Sequence, residues 1–315
     1  GEYRDRLKAF ADSVAWEVNR IHSQGAGLTH ISNALSTYKV GRDSVPLGSP
    51  EALFKWSDKL QAGNITFAIY DAQGNPILPC PDCESLFKIN FDPATDSLQD
   101  VADRINEIGT AANPVTDKSG NLVRPFTAVI YDGKLQILTN QIPGDATHNY
   151  TFAVTADTSG LLAGLGINTF FEGDGLGAFA VRGEFKNNIN LVNSGRLNGA
   201  GETNVGDNVT AREIADLAQK SVSIRTTWNA STRQTLSDYY GNLVARVGAD
   251  TAGAKYSAAT ETAVAQDLYE RQEEISGVNL DEEMTNLIKF QASYKAAAKL
   301  ITTADEMLQT LLSMK

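Results

Sequence analysis

The sequence predicts an α+β, multidomain protein. A helical, rod-like segment is formed by remote N- and C-terminal helices, with an inserted, mainly antiparallel β-rich domain and a C-terminal coiled-coil-type helix. Three observations carry this expectation. Residues 2–22 repeat apolar side chains at three- and four-residue spacing. Residues 41–184 are short runs of β-branched and aromatic residues punctuated by Gly, Pro, Asn and Asp. Residues 279–315 carry an apolar seam that steps alternately by four and by three. The expected segments are therefore 1–40 and 185–278 as the two parts of a helical domain, 41–184 as the inserted outer domain, and 279–315 as a terminal core helix.

In the first helix Leu7, Phe10, Ala11, Val14, Val18 and Ile21 form one stripe, with Arg4, Asp5, Lys8, Asp12 and Glu17 mostly on other faces. A stripe this narrow needs something to lie against, and no helix follows for many residues, so the partner must be remote in sequence or on another chain. The two glycines of Gln24-Gly25-Ala26-Gly27 offer a helix exit. In the insert, 65–70 followed by Asp71-Ala-Gln-Gly74 reads as a strand and turn, and 86–91 and 150–155 read as further strands. Residues 126–131 and 134–139 flank Asp132-Gly133, a dipeptide that tolerates the positive φ angles of a type I′ hairpin turn. One short helix interrupts, capped by Asp96 or Ser97 and burying Leu98, Val101, Ala102, Ile105 and Ile108.

Beyond residue 185 the helical period returns. Thr210 and Glu213 have the spacing of a capping box, and the polar stretch 221–235 reads as a loop joining two helices. Asp250-Thr-Ala-Gly253 punctuates, and a further helix covers 256–276 up to Gly277. Asn279 caps the last helix, and Asp281, Glu282 and Glu283 suit the positive end of its dipole. Its main seam is Leu280, Met284, Leu287, Gln291, Tyr294, Ala298, Ile301, Asp305, Leu308 and Leu312; a second runs Ala297, Leu300, Ala304, Met307 and Leu311, about 100° around the helix. Two seams call for neighbours on more than one side. The expected assembly interface is Met284, Leu287, Tyr294, Ile301, Leu308 and Leu312 on one seam, with Leu300, Met307 and Leu311 on the other.

The chain has 315 residues, enough for about two domains. Its 27 basic and 38 acidic residues leave a net charge of −11, which argues against nucleic acid or an anionic membrane as partner. No run approaches the roughly 20 apolar residues of a membrane span, and no signal peptide is visible. The sequence opens mid-helix and reads as a fragment. Cys80 and Cys83 form a CxxC pair, which suits half a zinc site, a redox couple or a disulfide. His22, His30 and His148 lie at no ligand spacing from it, and Pro79 and Pro81 mark an extended or turn segment, so a loop with a local disulfide or idle thiols is the simpler reading. Gly164-Leu-Gly166 and Gly173-Asp-Gly175-Leu-Gly177 lack phosphate-loop spacing and read as turns, and Asp174 has no regular acidic spacing around it. Trp16, Trp56 and Trp228 read as packing residues, and of the adjacent Phe170 and Phe171 one should face a core. No catalytic, cofactor-binding or metal-ligating residue is expected, and no enzyme.

The run SGVNLDEEM within residues 275–312, with Phe290-Gln291, Tyr294 and the following Lys299-Leu-Ile-Thr-Thr-Ala-Asp-Glu-Met307, closely resembles the C-terminal signature of flagellar axial proteins, the family of rod, hook and junction subunits. Two weaker likenesses accompany it. Residues 17–25 are similar to the end of that family's long helix on the N-terminal side. Residues 96–106, followed by a hairpin, are similar to an insert module of flagellins and hook-associated proteins, and 164–171 resemble a phrase of junction proteins. The resemblance implies a nested stack of paired terminal helices with β-rich domains projecting outward. It further implies a structural subunit of the bacterial flagellum joining hook to filament, passed unfolded through the type III export channel without a cleaved signal peptide and lying outside the cell. The implied partners are hook protein, a second hook–filament junction protein, copies of this chain in a ring or tube, and an export chaperone. Another axial role (hook, cap or second junction protein) and an adhesive insert are the alternatives. The family's first helix, partner of the last one, is missing from this sequence, and the Cys-Pro-Asp-Cys insertion is not part of the family pattern.

Overall fold

The computed structural model describes residues 1–77, 86–112, 114–116, 122–140, 149–173, 176, 178–226 and 231–314. Cys80, Cys83, His148, Asp174 and Trp228 lie outside them. The chain forms two compact units, residues 1–245 and 246–315. In order, the elements of the first are α1 (Glu2–His22), β1 (Asn33–Leu35), β2 (Gly63–Tyr70), β3 (Pro76–Ile77), β4 (Phe87–Phe91), α2 (Leu98–Glu107), β5 (Phe126–Tyr131), β6 (Lys134–Thr139), β7 (Thr151–Asp157), α3 (Leu161–Leu165), β8 (Phe171–Glu172), β9 (Ala180–Val181), α4 (Glu184–Asn187), α5 (Val209–Asp216), β10 (Ser221–Ile224) and β11 (Thr232–Thr235). Then come α6 (Leu236–Ser276), which runs into the second unit, and α7 (Leu280–Ser313). In chain order, long helices thus flank a middle of antiparallel strands, as the sequence predicts.

The β-rich middle has two antiparallel sheets, β1-β6-β5 and a second in which β2 pairs with β3, β4 and β7. Local chemistry builds both. Asp132 at φ 49° and Gly133 at φ 70° make the left-handed turn between β5 and β6, whose twist matches the strands. β4 alternates buried and exposed residues, as a strand with one face on a core should. Phe67, Phe126 and Phe152 meet at ring-centroid distances of 5.8, 6.0 and 5.4 Å and join the two sheets in one core. α2 covers β5 with the five apolar residues expected. Ser97, not Asp96, is its cap: the Ser97 hydroxyl accepts from the Asp100 amide, and the Asp100 carboxylate accepts the Ser97 amide at 2.8 Å. Asp96 is instead gripped by both arms of Arg104, which holds its carboxyl below the ordinary carboxylate range.

α1 lies against α3, α5, β8 and β10, all remote in sequence. The buried face differs from the predicted stripe. Leu7 is exposed and Phe10, Ala11, Val14 and Val18 are only half-buried, whereas Ala9, Ala15, Trp16, Asn19, Ile21 and His22 are buried. Trp16 stacks beside Trp56, with centroids 5.2 Å apart. The end of the helix carries a polar clasp. Asn19 Oδ1 accepts the amides of Phe170 and Phe171 at 3.0 and 2.8 Å. His22 Nδ1 donates to the Asn168 carbonyl at 2.9 Å while its Nε2 accepts the Asn193 amide at 3.0 Å, which assigns the neutral tautomer with the proton on Nδ1. Asn193 in turn donates to the His22 carbonyl at 2.7 Å. Phe170 packs on His22 and Phe185, while Phe171 stacks on Phe179.

Several local expectations are corrected. α1 does end before Gln24-Gly25-Ala26-Gly27, with Ser23 as its cap, but neither glycine takes a positive φ; Gly25 is required because a Cβ there would lie 2.7 Å from Asn193 Cβ. Gly164 sits inside α3, and Gly166 ends that helix at φ 73°. Thr210 and Glu213 form no capping box: Thr210 donates to the Gly195 carbonyl, Glu213 pairs with Arg196, and Asp207 serves the Val209 amide. Residues 221–235 are not a plain loop, because Val222 and Ile224 alternate inward against Ala9 and Tyr239 and make β10 pair with β11. Asp250–Gly253 does not interrupt a helix. One glycine costs a helix only about 1 kcal/mol, and the flanking residues favour helix, so α6 runs through it to Ser276.

Two outcomes are expected. Asp157 is buried and accepts from Ser159 N–H and O–H, Gly160 N–H and Leu162 N–H, tying β7 to the start of α3. Asp157→Ala leaves those donors unmet and should lower stability by about 2–4 kcal/mol in urea denaturation. Burial, with the nearby Arg182 charge, lowers the His22 pKa from 6.5 to about 4. Between those values the unfolded chain binds the proton that the folded chain refuses. The stabilisation is therefore complete above the unfolded pKa and lost as pH falls towards 4, by on the order of 3 kcal/mol in all. Between pH 7 and pH 5, His22→Gln should show a smaller fall in urea midpoint than the unmodified chain.

Candidate assembly surface

α7 begins with Asn279, whose side-chain oxygen accepts the Asp281 amide at 3.0 Å, and continues for 34 residues, about 51 Å at 1.5 Å per residue. All nine residues expected to form an interface lie on this one helix. Met284, Leu287, Tyr294, Leu300, Ile301, Met307, Leu308, Leu311 and Leu312 are between 57% and 77% exposed. Every described residue from Val244 to Met314 is exposed. These side chains leave a large apolar area exposed, and exposed apolar patches of that size are a feature of interaction surfaces.

The spacing shapes that surface. Leu280, Leu287, Tyr294, Ile301 and Leu308 recur every seven residues. A strict repeat of seven drifts about 20° per heptad on a straight helix, so helices that keep it in contact wind around one another with a left-handed supercoil. Gln291 and Asp305 are the polar interruptions of this face. The second seam starts one heptad before Ala297: Phe290, Ala297, Ala304 and Leu311 are also seven apart, and Phe290 is 75% exposed. Phe290 and Leu287 border a shallow depression with Gln291, Tyr294 and Lys295. The signal for Phe290 is present in the sequence, since counting back by seven from Ala297 reaches it.

Among the described residues no group of three or more His, Cys, Asp or Glu side chains could hold a metal ion, and no helix is long and apolar enough to cross a membrane.

The last helix carries the first likeness to known proteins: residues 272–314 match the family described as the C-terminal part of flagellar basal body rod FlgEFG proteins. The more particular likeness is to flagellar hook-associated protein 1. To that protein of Escherichia coli the chain is 31% identical over 209 residues, covering 64% of this chain and 36% of the relative. To that of Salmonella typhimurium it is 30% identical over 222 residues, covering 60% and 37%. A shorter match, 50% identical over 44 residues, is to flagellar basal-body rod protein FlgG of Buchnera aphidicola, covering 14% of this chain and 17% of that protein. The chain thus spans little more than a third of the length of the Escherichia and Salmonella relatives. The resemblance carried by residues 275–312 is supported by these matches, which extend well beyond the last helix.

Because no described residue of α7 is buried, deleting 279–315 should remove helical circular-dichroism signal and leave the thermal midpoint of residues 1–245 unchanged. Amide exchange should show the same contrast, with α7 exchanging far faster than β2 and β7.

Proposed function

We propose that the chain is a structural subunit of the bacterial flagellum at the junction of hook and filament, assembling through α7, and that it is not an enzyme and needs no cofactor. The observation that carries this reading is the uncovered double seam. Fully burying a large apolar side chain is worth about 1.5–3 kcal/mol, so these nine residues would supply at most roughly 13–27 kcal/mol before the costs of association. Side-by-side contact of unlike faces is heterologous, and repeated heterologous contacts build rings or helical tubes. The four-segment organisation (1–40, 41–184, 185–278 and 279–315) belongs to the same proposal. So do the partners: hook protein, the second junction protein, further copies of the chain and an export chaperone, after passage through the type III channel to the cell exterior without a cleaved signal peptide. The net charge of −11 suits neither nucleic acid nor an anionic membrane. A rod or hook subunit is the second reading, favoured by the match to a rod protein.

Leu308→Asp and Ile301→Asp each place a carboxylate in the first seam. Either should abolish motility in a complementation assay while the strand signals of residues 41–184 persist in the purified variant. Normal assembly of both would remove α7 as the polymerising element. Pull-down with hook protein and with the second junction protein separates the two readings.

A further inference from the structure

The acidic residues of the chain are unevenly placed. Residues 267–283 hold seven carboxylates and one arginine, all exposed. Asp281, Glu282 and Glu283 have a local reason: they occupy the first turn of α7, where the helix dipole favours negative charge. Glu270 accepts from Gln266 one turn earlier, at 2.9 Å, but the dipole gives Glu270, Glu273 and Glu274 no such reason. They sit in the last two turns of α6, at the negative end of its dipole, and no basic residue occupies its last turn. Glu270 and Glu274 are also a like-charge pair one turn apart, an arrangement that destabilises an isolated helix. Arg271 is taken up by Asp267 at 3.1 Å. Helix energetics therefore slightly disfavours this acidic turn, a cost that an opposite charge outside the helix would offset.

A cleft of opposite sign lies elsewhere in the fold, bordered by Lys8 and Asp12 of α1, by Lys55, Asp58 and Lys59, and by Arg225 just past β10. Among the described residues four cations face two carboxylates there, in a chain whose overall charge is −11. Lys8 and Lys55 share the single carboxylate of Asp12, at 2.6 and 3.0 Å. Arg225 reaches Asp58 at 3.5 Å, and the Lys59 ammonium meets the Ser223 carbonyl at 3.4 Å. Among the described residues lining the cleft, cations thus outnumber carboxylates.

We propose that this cleft receives the acidic turn 270–274 of a second copy of the chain, with Glu270 and Glu274 meeting Lys8 and Lys59. The inference rests on the reading of the chain as a self-assembling subunit and adds an electrostatic register to it. The two surfaces are different patches, so the contact is heterologous and can repeat from copy to copy. Opposed charge sets orientation and speeds encounter more than it adds affinity, whereas α7 supplies the apolar area.

The test mixes chains labelled with nitrogen-15 and unlabelled chains, treats them with a zero-length carbodiimide cross-linker, and identifies the linked peptides by mass spectrometry. Mixed-isotope links from Lys8 or Lys59 to Glu270, Glu273 or Glu274 are expected. In sedimentation velocity at low salt, the double variant Lys8→Glu/Lys59→Glu should self-associate about tenfold more weakly, and adding Glu270→Lys/Glu274→Lys should restore association. Links confined to single copies overturn the proposal. So does a charge reversal without effect alongside a Leu308→Asp variant that no longer associates, a result that leaves the α7 reading intact. The converse pattern, in which charge reversal weakens association and Leu308→Asp does not, supports the cleft and removes α7.

Discussion

Buried side chains at the end of the first helix satisfy the backbone of the segments that return to it, and the architecture of residues 1–245 depends on that closure. Asn19 and His22 take up amides and carbonyls at 168, 170, 171 and 193, more than 140 residues away. A buried amide or carbonyl without a partner costs on the order of 1–3 kcal/mol, so these few contacts pin both ends of a long excursion to a single helical turn. The β-rich insertion can then fold around its own phenylalanine core without the chain ends drifting apart. Arg182, itself buried, strengthens the same junction through the Gly166 carbonyl and pairs with Glu184.

The second part of the chain follows a different logic. Residues 246–314 are exposed throughout and helical apart from the short break at 277–279, with apolar side chains of α7 at a seven-residue repeat. Isolated helices gain little from propensity alone, and most helical stability in proteins comes from packing an apolar face. One unit satisfies its own core, whereas the 34 residues of α7 keep their apolar seams exposed, which is the feature the proposed assembly role rests on. The likeness to hook-associated and rod proteins suits that role, and the contact proposed between the α6 terminus and the Lys8–Lys59 cleft would give such an assembly a direction.

Features set by neighbours along the chain are legible in the linear pattern. The Asp132-Gly133 turn needs only two residues able to take positive φ, and the Ser97–Asp100 cap needs only its own four-residue span. The α7 seams are legible for the same reason, since a period of seven is visible in one segment, although the second seam extends one heptad further, to Phe290, than the expected Ala297. The mismatches have a common cause. Thr210 and Glu213 have the spacing of a cap, yet Gly195 and Arg196 compete for them from outside the helix. Gly253 signals a break that the flanking residues override. Val222 and Ile224 are too short an alternation to announce a strand until Ala9 and Tyr239 are there to cover them.

Periodicity and local sterics act within a few residues. They were enough to set the class of fold, the position of the β-rich insertion, the strong turns and caps, and the apolar character of the last helix. Three-dimensional packing was needed to choose which face of α1 is buried, to make Asn19 and His22 polar and yet internal, and to gather cations around Asp12. Such choices depend on groups far apart in the chain competing for the same donors, acceptors and volume, and a linear pattern carries no record of which competitor is near.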